Sequence, residues 1–356
     1  MTTIIGWDLG GANGKLALVE GTLVQRVMQL PCPILKTPAK FDAAVGAALA
    51  LAPSSALHAV TMTGELSDVF ANRREGVAYL VGLMRRAISG QTLLVYAGRA
   101  GFLDPDAAVS RWLDVASANW HASARLAARE CGEGLFVDVG TTTTDLVPLK
   151  AGALAARGYT DGERLTEGEL VYAGVVRTPV MAIAQAVLFG GRRQRIAGER
   201  FATMADVWRL TGELPDDADP YPTADQRGKS AEESAARLAR MLGRDAAERN
   251  LVDWVALACR LAQCQLSQLE DAALTLSARE GLGPDAPVIG AGCGRFLAKH
   301  LAQALGRPYV DFAELIGAAP DAREGAARCA PAVAVALLAV APVEKRGSNP
   351  GAERNC

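Results

Sequence analysis

Apolar residues gather at Ile4, Ile5 and Trp7, give way to the glycine-rich stretch Asp8-Leu9-Gly10-Gly11-Ala12-Asn13-Gly14-Lys15, and resume from Leu16 to Val19. Two short apolar runs around such a stretch predict a β-hairpin that presents Asp8 at its tip. The glycines let backbone N–H groups approach an anion, because they lack a Cβ and tolerate positive φ. Further on, the pattern predicts a helix over Phe41 to Leu51 and a strand over Ala59 to Thr63 that ends in Gly64-Glu65. Val77, Leu80, Val81 and Met84 fall at helical spacing within a helix from Val69 to Ile88. Leu93 to Tyr96 reads as a strand, and Trp112 to Glu130 as largely helical.

A second hairpin then repeats the order of the first. Leu135-Phe136-Val137-Asp138-Val139-Gly140 leads into Thr141, Thr142, Thr143 and Thr144, and Asp145-Leu146-Val147-Pro148-Leu149 leaves. The repeat of strand, Asp, one residue, Gly, polar turn and strand predicts two such hairpins facing one phosphate chain across a cleft. The segment Gly190 to Asp225, with its Pro215 to Pro222 stretch, reads as an insertion or lid loop around one short helix, Met204 to Leu210. Helices resume over Ala231 to Leu242 and Leu251 to Glu280. Val288 and Ile289 feed the turn Gly290-Ala291-Gly292-Cys293-Gly294 and a helix over Phe296 to Ala304. A final helix is expected over Ala332 to Val340, followed by a flexible tail from Pro342 to Cys356.

A length of 356 residues favours two domains, or one domain in two lobes. Half of the residues are hydrophobic and 21% are charged, enough for a sizeable core and unlike a disordered chain. Lys and Arg number 37 against 39 Asp and Glu, a net of -2, which supplies neither a nucleic-acid footprint nor a polybasic membrane anchor. Seven scattered cysteines without CxxC spacing and three histidines, His58, His121 and His300, argue against zinc and for reduced thiols. With no signal-peptide pattern at Met1 and no apolar run long enough for a bilayer, a soluble cytoplasmic protein is expected.

The candidate chemistry centres on Asp8 and Asp138. A carboxylate at a strand end beside glycines suits Mg²⁺, which takes one or two carboxylates together with substrate phosphates; a lone Asp before Gly is otherwise an ordinary turn former. Gly10, Gly11, Asn13 and Lys15 in the first turn, and Gly140 with Thr141 to Thr144 in the second, are the candidate phosphate contacts. Gly290, Gly292 and Gly294 can cradle a phosphate or a flat ring, although tight strand–helix packing explains such glycines as well. Glu65, behind Gly64 at a strand end, is the candidate base for an incoming hydroxyl, with a capping or surface role as the alternative. Arg177, Arg192, Arg193 and Arg195 form a basic group suited to a diphosphate or a substrate carboxylate, or to plain solvation. Cys293 lacks the adjacent histidine base that a thiol nucleophile wants.

Two Asp-x-Gly hairpins followed by a glycine-rich strand–turn–helix resemble the phosphate-1, phosphate-2 and adenosine motifs of the actin, sugar kinase and Hsp70 superfamily. More narrowly, GWDLGGANGK, TMTGELSD, FVDVGTTTTDLVPL, ERLTEGELVYAGVVRTP and GAGCGRFL resemble the hydantoinase/oxoprolinase-like proteins. Within these the likeness is to the branch linked to tetrahydromethanopterin-dependent one-carbon transfer, and it runs from Ile4 to about Val340. The resemblance implies an α/β, two-lobed, actin-like (ribonuclease H-like) fold, with mixed sheets flanked by helices and a cleft between the lobes. Its first lobe would take residues 1–130 and about 318–341, and its second residues 134–317 with an insertion at about 190–230.

The same resemblance implies a transferase of methanofuran or methylofuran biosynthesis. It would condense aminomethylfuran diphosphate with a tyrosine- or tyramine-derived phenol, forming an aryl ether and releasing diphosphate. Mg²⁺ on Asp8 and Asp138 would be the cofactor, without a need for ATP; the partners would be these small molecules, with room for a homodimer. ATP-dependent kinase or hydantoinase-like chemistry, and a non-catalytic nucleotide-dependent scaffold, are the alternatives. Nucleotide binding with ADP production marks the former, and binding without turnover the latter.

Overall fold

The computed structural model describes residues 2–11, 13–31, 43, 45–47, 49–50 and 56–347. Of the helix expected over Phe41 to Leu51, residues 43, 45–47 and 49–50 are described, and these are helical. By its contacts the chain divides into two compact units, Met1–Glu130 with Phe312–Cys356, and Cys131–Asp311.

The first unit is built on a sheet of order β3-β2-β1-β4-β5-β6, from β1 (Thr3–Leu9), β2 (Asn13–Glu20), β3 (Leu23–Pro31), β4 (Leu57–Met62), β5 (Thr92–Tyr96) and β6 (Phe102–Leu103). β1 pairs antiparallel with β2 and parallel with β4. Its residues are nearly all buried because helices cover both faces, as parallel strands require. On one face Trp7, Leu9, Leu16, Val60 and Met62 pack with Val77, Leu80 and Met84 of the helix Arg73–Ala87. On the other, Gly6 admits the helix Ala330–Gly347, since a Cβ there would stand 2.0 Å from the Ala332 carbonyl oxygen.

Three local differences from the sequence pattern have physical causes. The helix expected from Val69 begins at Arg73, where the Asn72 side chain accepts the Glu75 N–H at 3.0 Å and caps it. The helix expected over Trp112 to Glu130 is split into Trp112–Val115 and Asn119–Cys131, with Ser117 between them at φ +54°. The last helix extends to Gly347, past the Pro342 at which a tail was expected. A proline removes one helix donor without stopping a helix already seated on a sheet. The return to this unit falls at Phe312, ahead of the expected boundary after Gly317. Val24 N–H donates to Gly317 O and Ala319 N–H to Val24 O, both at 2.9 Å, which ties the segment to β3.

The second unit holds β7 (Gly134–Val139), β8 (Thr144–Lys150), β9 (Ala153–Leu154), β10 (Leu170–Val171), β11 (Ala186–Phe189), β12 (Arg192–Arg195), β13 (Val288–Ala291) and β14 (Tyr309–Asp311). Its main sheet runs β10-β8-β7-β13-β14, with β9 beside β8. The logic is that of β3-β2-β1-β4-β5: an antiparallel hairpin, a third antiparallel strand, and two parallel strands on the other side. The repeat seen in sequence as one hairpin therefore extends to a five-stranded sheet. The segment expected as an insertion or lid loop sends its short helix into this unit's core. Val187 and Phe189 of the β11–β12 hairpin, Ala202, the helix Met204–Leu210 and Ala218 are buried with the long helix Leu251–Glu280. Among the described residues no helix is long and apolar enough to cross a membrane.

Candidate active site

Asp8 sits in β1 one residue from its end, in register with Lys15 on β2 and Thr61 on β4. The turn beyond it is closed by Gly10 N–H donating to Asn13 O at 3.1 Å. A Cβ at Gly10 would meet that same oxygen at 2.9 Å, whereas Gly11 and Gly14 have open space around them. Asp8 is only 3% exposed, and its Oδ2 lies 3.4 Å from Lys15 Nζ. Its other oxygen, Oδ1, is buried and has no hydrogen-bond partner among the described residues, and the same is true of Thr61 Oγ1 in the adjoining strand. Buried polar atoms are nearly always paired, so two orphans in one row at the C-terminal end of a sheet need a cause.

Glu65 is brought beside this turn. Thr63 N–H donates to Leu9 O at 3.1 Å, and a Cβ on Gly64 would touch that oxygen at 3.0 Å. The Glu65 carboxylate, however, is 1% exposed, and its Oε1 accepts both Ser117 N–H at 2.8 Å and Ser117 Oγ–H at 3.0 Å. Its backbone is pressed against Gly76, where a Cβ would lie 2.7 Å from Glu65 Cα. The structure gives this acid neither a surface nor a capping place but a support behind the turn. It also gives the left-handed Ser117 a reason for its strained backbone. Deeper in the same unit, Trp7 Nε1–H donates to His58 Nδ1 at 3.0 Å, so His58 carries its proton on Nε2 and donates to Gln91 Oε1 at 2.9 Å. Burial holds this imidazole below its usual pKa, against the Gln91 bond.

In the second turn Asp138, 9% exposed, is in register with Asp145 on β8 and Ala291 on β13. Gly140 N–H donates to Thr143 O at 2.9 Å, the counterpart of the Gly10–Asn13 bond. A strap, Ala173 to Thr178, laces the turn from outside. Gly174 N–H donates to Thr142 O, Val175 N–H to Gly140 O, and both Val176 and Arg177 N–H to Thr141 O, at 2.7 to 3.1 Å. Thr144 Oγ1 donates to Ala173 O at 2.9 Å, so this hydroxyl, expected on a phosphate, is spent inside the fold. Thr141, Thr142 and Thr143 remain partly exposed. Gln265 of the long helix braces the strap: its Nε2 donates to Ala173 O and Gly174 O, and its Oε1 accepts Trp208 Nε1–H at 2.7 Å. None of this lacing was visible in the sequence pattern, although the glycine within Tyr172-Ala173-Gly174 was its one signal.

Packing accounts for the late glycines, the alternative left open by the sequence. A Cβ on Gly290 would meet the Tyr309 ring at 2.6 Å, and one on Gly294 would meet Val139 and Val175 at 2.6 and 2.7 Å. Gly292 has φ +86° and would place a Cβ 2.3 Å from both Asp138 Oδ1 and Val139 O, so it sets the position of the Asp138 carboxylate. The expected basic group is divided: Arg177 lines a cavity with Arg200 and Arg209, and Arg192, Arg193 and Arg195 do not line it.

Residues 56–319 match the Hydantoinase/oxoprolinase family. The chain belongs to the hydantoinase/oxoprolinase family. It is 31% identical over 243 residues to the (4-{4-[2-(gamma-L-glutamylamino)ethyl]phenoxymethyl}furan-2-yl)methanamine synthase of Methanocaldococcus jannaschii, covering 68% of this chain and 72% of that protein. It is likewise 31% identical to the synthase of the same name from Methanococcus vannielii, over 31% of this chain and 50% of that one. In fold it is similar to an acetone carboxylase in its nucleotide-free structure, with a TM-score of 0.58, 9% identity, and coverage of 94% of this chain and 70% of that one.

The region matched to the hydantoinase/oxoprolinase family contains Glu65, the second turn with its strap, and the Gly290 to Gly294 turn, and it leaves out the Asp8 turn. Among the described residues no three His, Cys, Asp or Glu side chains gather as a metal cluster. A Mg²⁺ ion does not require one, since water and substrate oxygens complete its octahedron around one or two carboxylates. Asp8 fits such an ion: among the described residues its buried Oδ1 has no hydrogen-bond partner, and neither has the hydroxyl of Thr61 in the adjoining strand position.

Proposed function

We propose that this family member is a synthase that joins a furan-methyl group to a phenol as an aryl ether, with diphosphate leaving. The observation that carries the reading is the likeness to the M. jannaschii synthase, named for a product with an aryl–O–CH₂–furan linkage. The geometry of the Asp8 turn supports it. In the proposed step the phenol oxygen forms the new bond to the furfuryl carbon, and the carbon–oxygen bond to diphosphate breaks with its electron pair leaving on the diphosphate. The phenolic proton passes to that leaving group or to water. Since furan can share positive charge on the furfuryl carbon, stabilising the leaving group is the main task of the site.

Gly10 and Gly11 N–H groups, Asn13 and Lys15 would hold the diphosphate oxygens of the substrate, and Asp8 would hold Mg²⁺. That ion supplies charge neutralisation of the diphosphate. Within the second unit, Asp138, set by Gly292, and the partly exposed Thr141 to Thr143 hydroxyls offer a second place for phosphate oxygens. Glu65 acts through the turn it supports, as a positioning residue. The test is to incubate the purified protein with Mg²⁺, aminomethylfuran diphosphate and L-tyrosine or γ-glutamyltyramine, recording product mass and diphosphate, beside a sample holding ATP and no furan. Ether and diphosphate in equal amounts are expected. ADP without ether would overturn the reading in favour of an ATP-dependent reaction.

A further inference from the structure

The cavity beside the second turn plays no part in the reaction as described so far. It measures about 90 Å³, and its lining includes Arg177, Arg200, Arg209, Asp206, Asp219 and Tyr221. One wall is fixed by ion pairs. Arg209 joins Asp206 at 3.3 Å and Asp219 at 2.9 Å, and the fully buried Arg237 holds Asp206 at 2.8 Å and Asp225 at 3.1 Å. The acids of the lining are thereby matched. Arg177 and Arg200 are not: among the described residues neither guanidinium has a hydrogen bond or an ion pair. The cavity also adjoins the turn itself, because Arg177 N–H donates to Thr141 O at 2.7 Å and Ala205 N–H to Val176 O at 3.2 Å.

Charge and size select the ligand. Three arginines against two aspartates leave the lining with one net positive charge, the complement of a monoanion. Two unmatched guanidinium forks suit the planar, bidentate geometry of a carboxylate. The space is large enough for several waters, and so for a carboxylate with its α-carbon and amine. We propose that this cavity binds the α-carboxylate of an amino-acid head group on the phenol substrate, through Arg177 and Arg200. The identity of the ligand rests on the ether-forming reaction proposed above; the place of the site rests on the cavity alone.

Titration calorimetry on the full chain without any furan substrate reads this independently of turnover. The probes are L-tyrosine, γ-glutamyltyramine, tyramine, which lacks the carboxylate, and inorganic diphosphate. L-Tyrosine, γ-glutamyltyramine or both are expected to bind at least about tenfold more tightly than tyramine. Arg177→Gln and Arg200→Gln, both at exposed positions, should each remove about tenfold of that preference while leaving Tm, tyramine and diphosphate binding unchanged. Equal binding of tyramine and the carboxylate-bearing phenols, unchanged affinities in both variants, or a selective loss of diphosphate would each overturn the assignment. Intact, arginine-dependent carboxylate binding with no ether formed would instead sink the proposed reaction and leave the site standing.

Discussion

The two strand turns are copies of one design, yet they differ in what surrounds the aspartate. Asp8 lies between Lys15 and Thr61; Asp138 lies between Asp145 and Ala291. In the first turn, one carboxylate oxygen and the neighbouring hydroxyl are buried without hydrogen-bond partners among the described residues, and a Cβ at Gly11 or Gly14 would meet nothing among them. In the second, Asp145 is bonded at 2.7 Å to Arg164, a guanidinium 1% exposed that also donates to Glu169 O, and the strap fills the outside of the loop. Burial pushes the Asp145 carboxyl up while Arg164 pulls it down. The close, charge-assisted contact identifies the pair as structural. The lesson is that the first turn keeps unsatisfied polar capacity for a ligand, whereas the second spends most of its capacity on holding its own shape.

The comparison breaks most visibly at the glycines of the second turn. A Cβ on Gly174 would lie 2.4 Å from Thr142 N, and one on Gly292 would meet Asp138 at a strained φ. Gly174→Ala and Gly292→Ala should each destabilise the protein by about 3 kcal/mol or more in urea unfolding. Asp145→Asn comes next: removing one partner of a buried pair leaves Arg164 uncompensated, and about 3 kcal/mol should be lost. Gln265→Leu strips the strap carbonyls and the Trp208 N–H of their partner and should cost about 2 kcal/mol by the same measurement.

His58 sharpens the comparison from the first unit. Burial holds its folded-state pKa below the ordinary imidazole value of about 6.5, so the unfolded chain takes up the proton first as pH falls. The stability it contributes is complete above that pH and is lost below it, with a slope of at most about 1.4 kcal/mol per pH unit. Urea midpoints at pH 7.5 and 5.5 should show this fall, and His58→Gln should flatten it. The smallest effect is expected at Gly11→Ala, where the added methyl meets nothing. A change within about 0.5 kcal/mol would agree with an open turn, and a cost like that of Gly174→Ala would erase the distinction.

Much of this was legible in the sequence, because strand alternation and Asp-x-Gly turns are local. Both hairpins, the Met204–Leu210 helix and the Leu251–Glu280 helix stand where the pattern puts them. What was not legible depends on pairs distant in the chain. Ser117 breaks a helix because Glu65 holds it, Gln265 braces Ala173 and Gly174, and Arg164 neutralises Asp145. For the same reason Glu65 reads in sequence as a candidate base for an incoming hydroxyl and Thr144 as a phosphate contact, while each is engaged inside its own unit.

The most direct test of the central claim is Asp8→Asn, assayed for ether and diphosphate formation alongside its urea midpoint. The buried Oδ1 has no partner among the described residues, and the Lys15 pairing of Oδ2 at 3.4 Å is long and partly exposed, so the variant should stay within about 1 kcal/mol of the parent in stability, yet form no ether. Full ether formation by the variant would contradict the account. So would a loss of activity explained by a matching loss of stability.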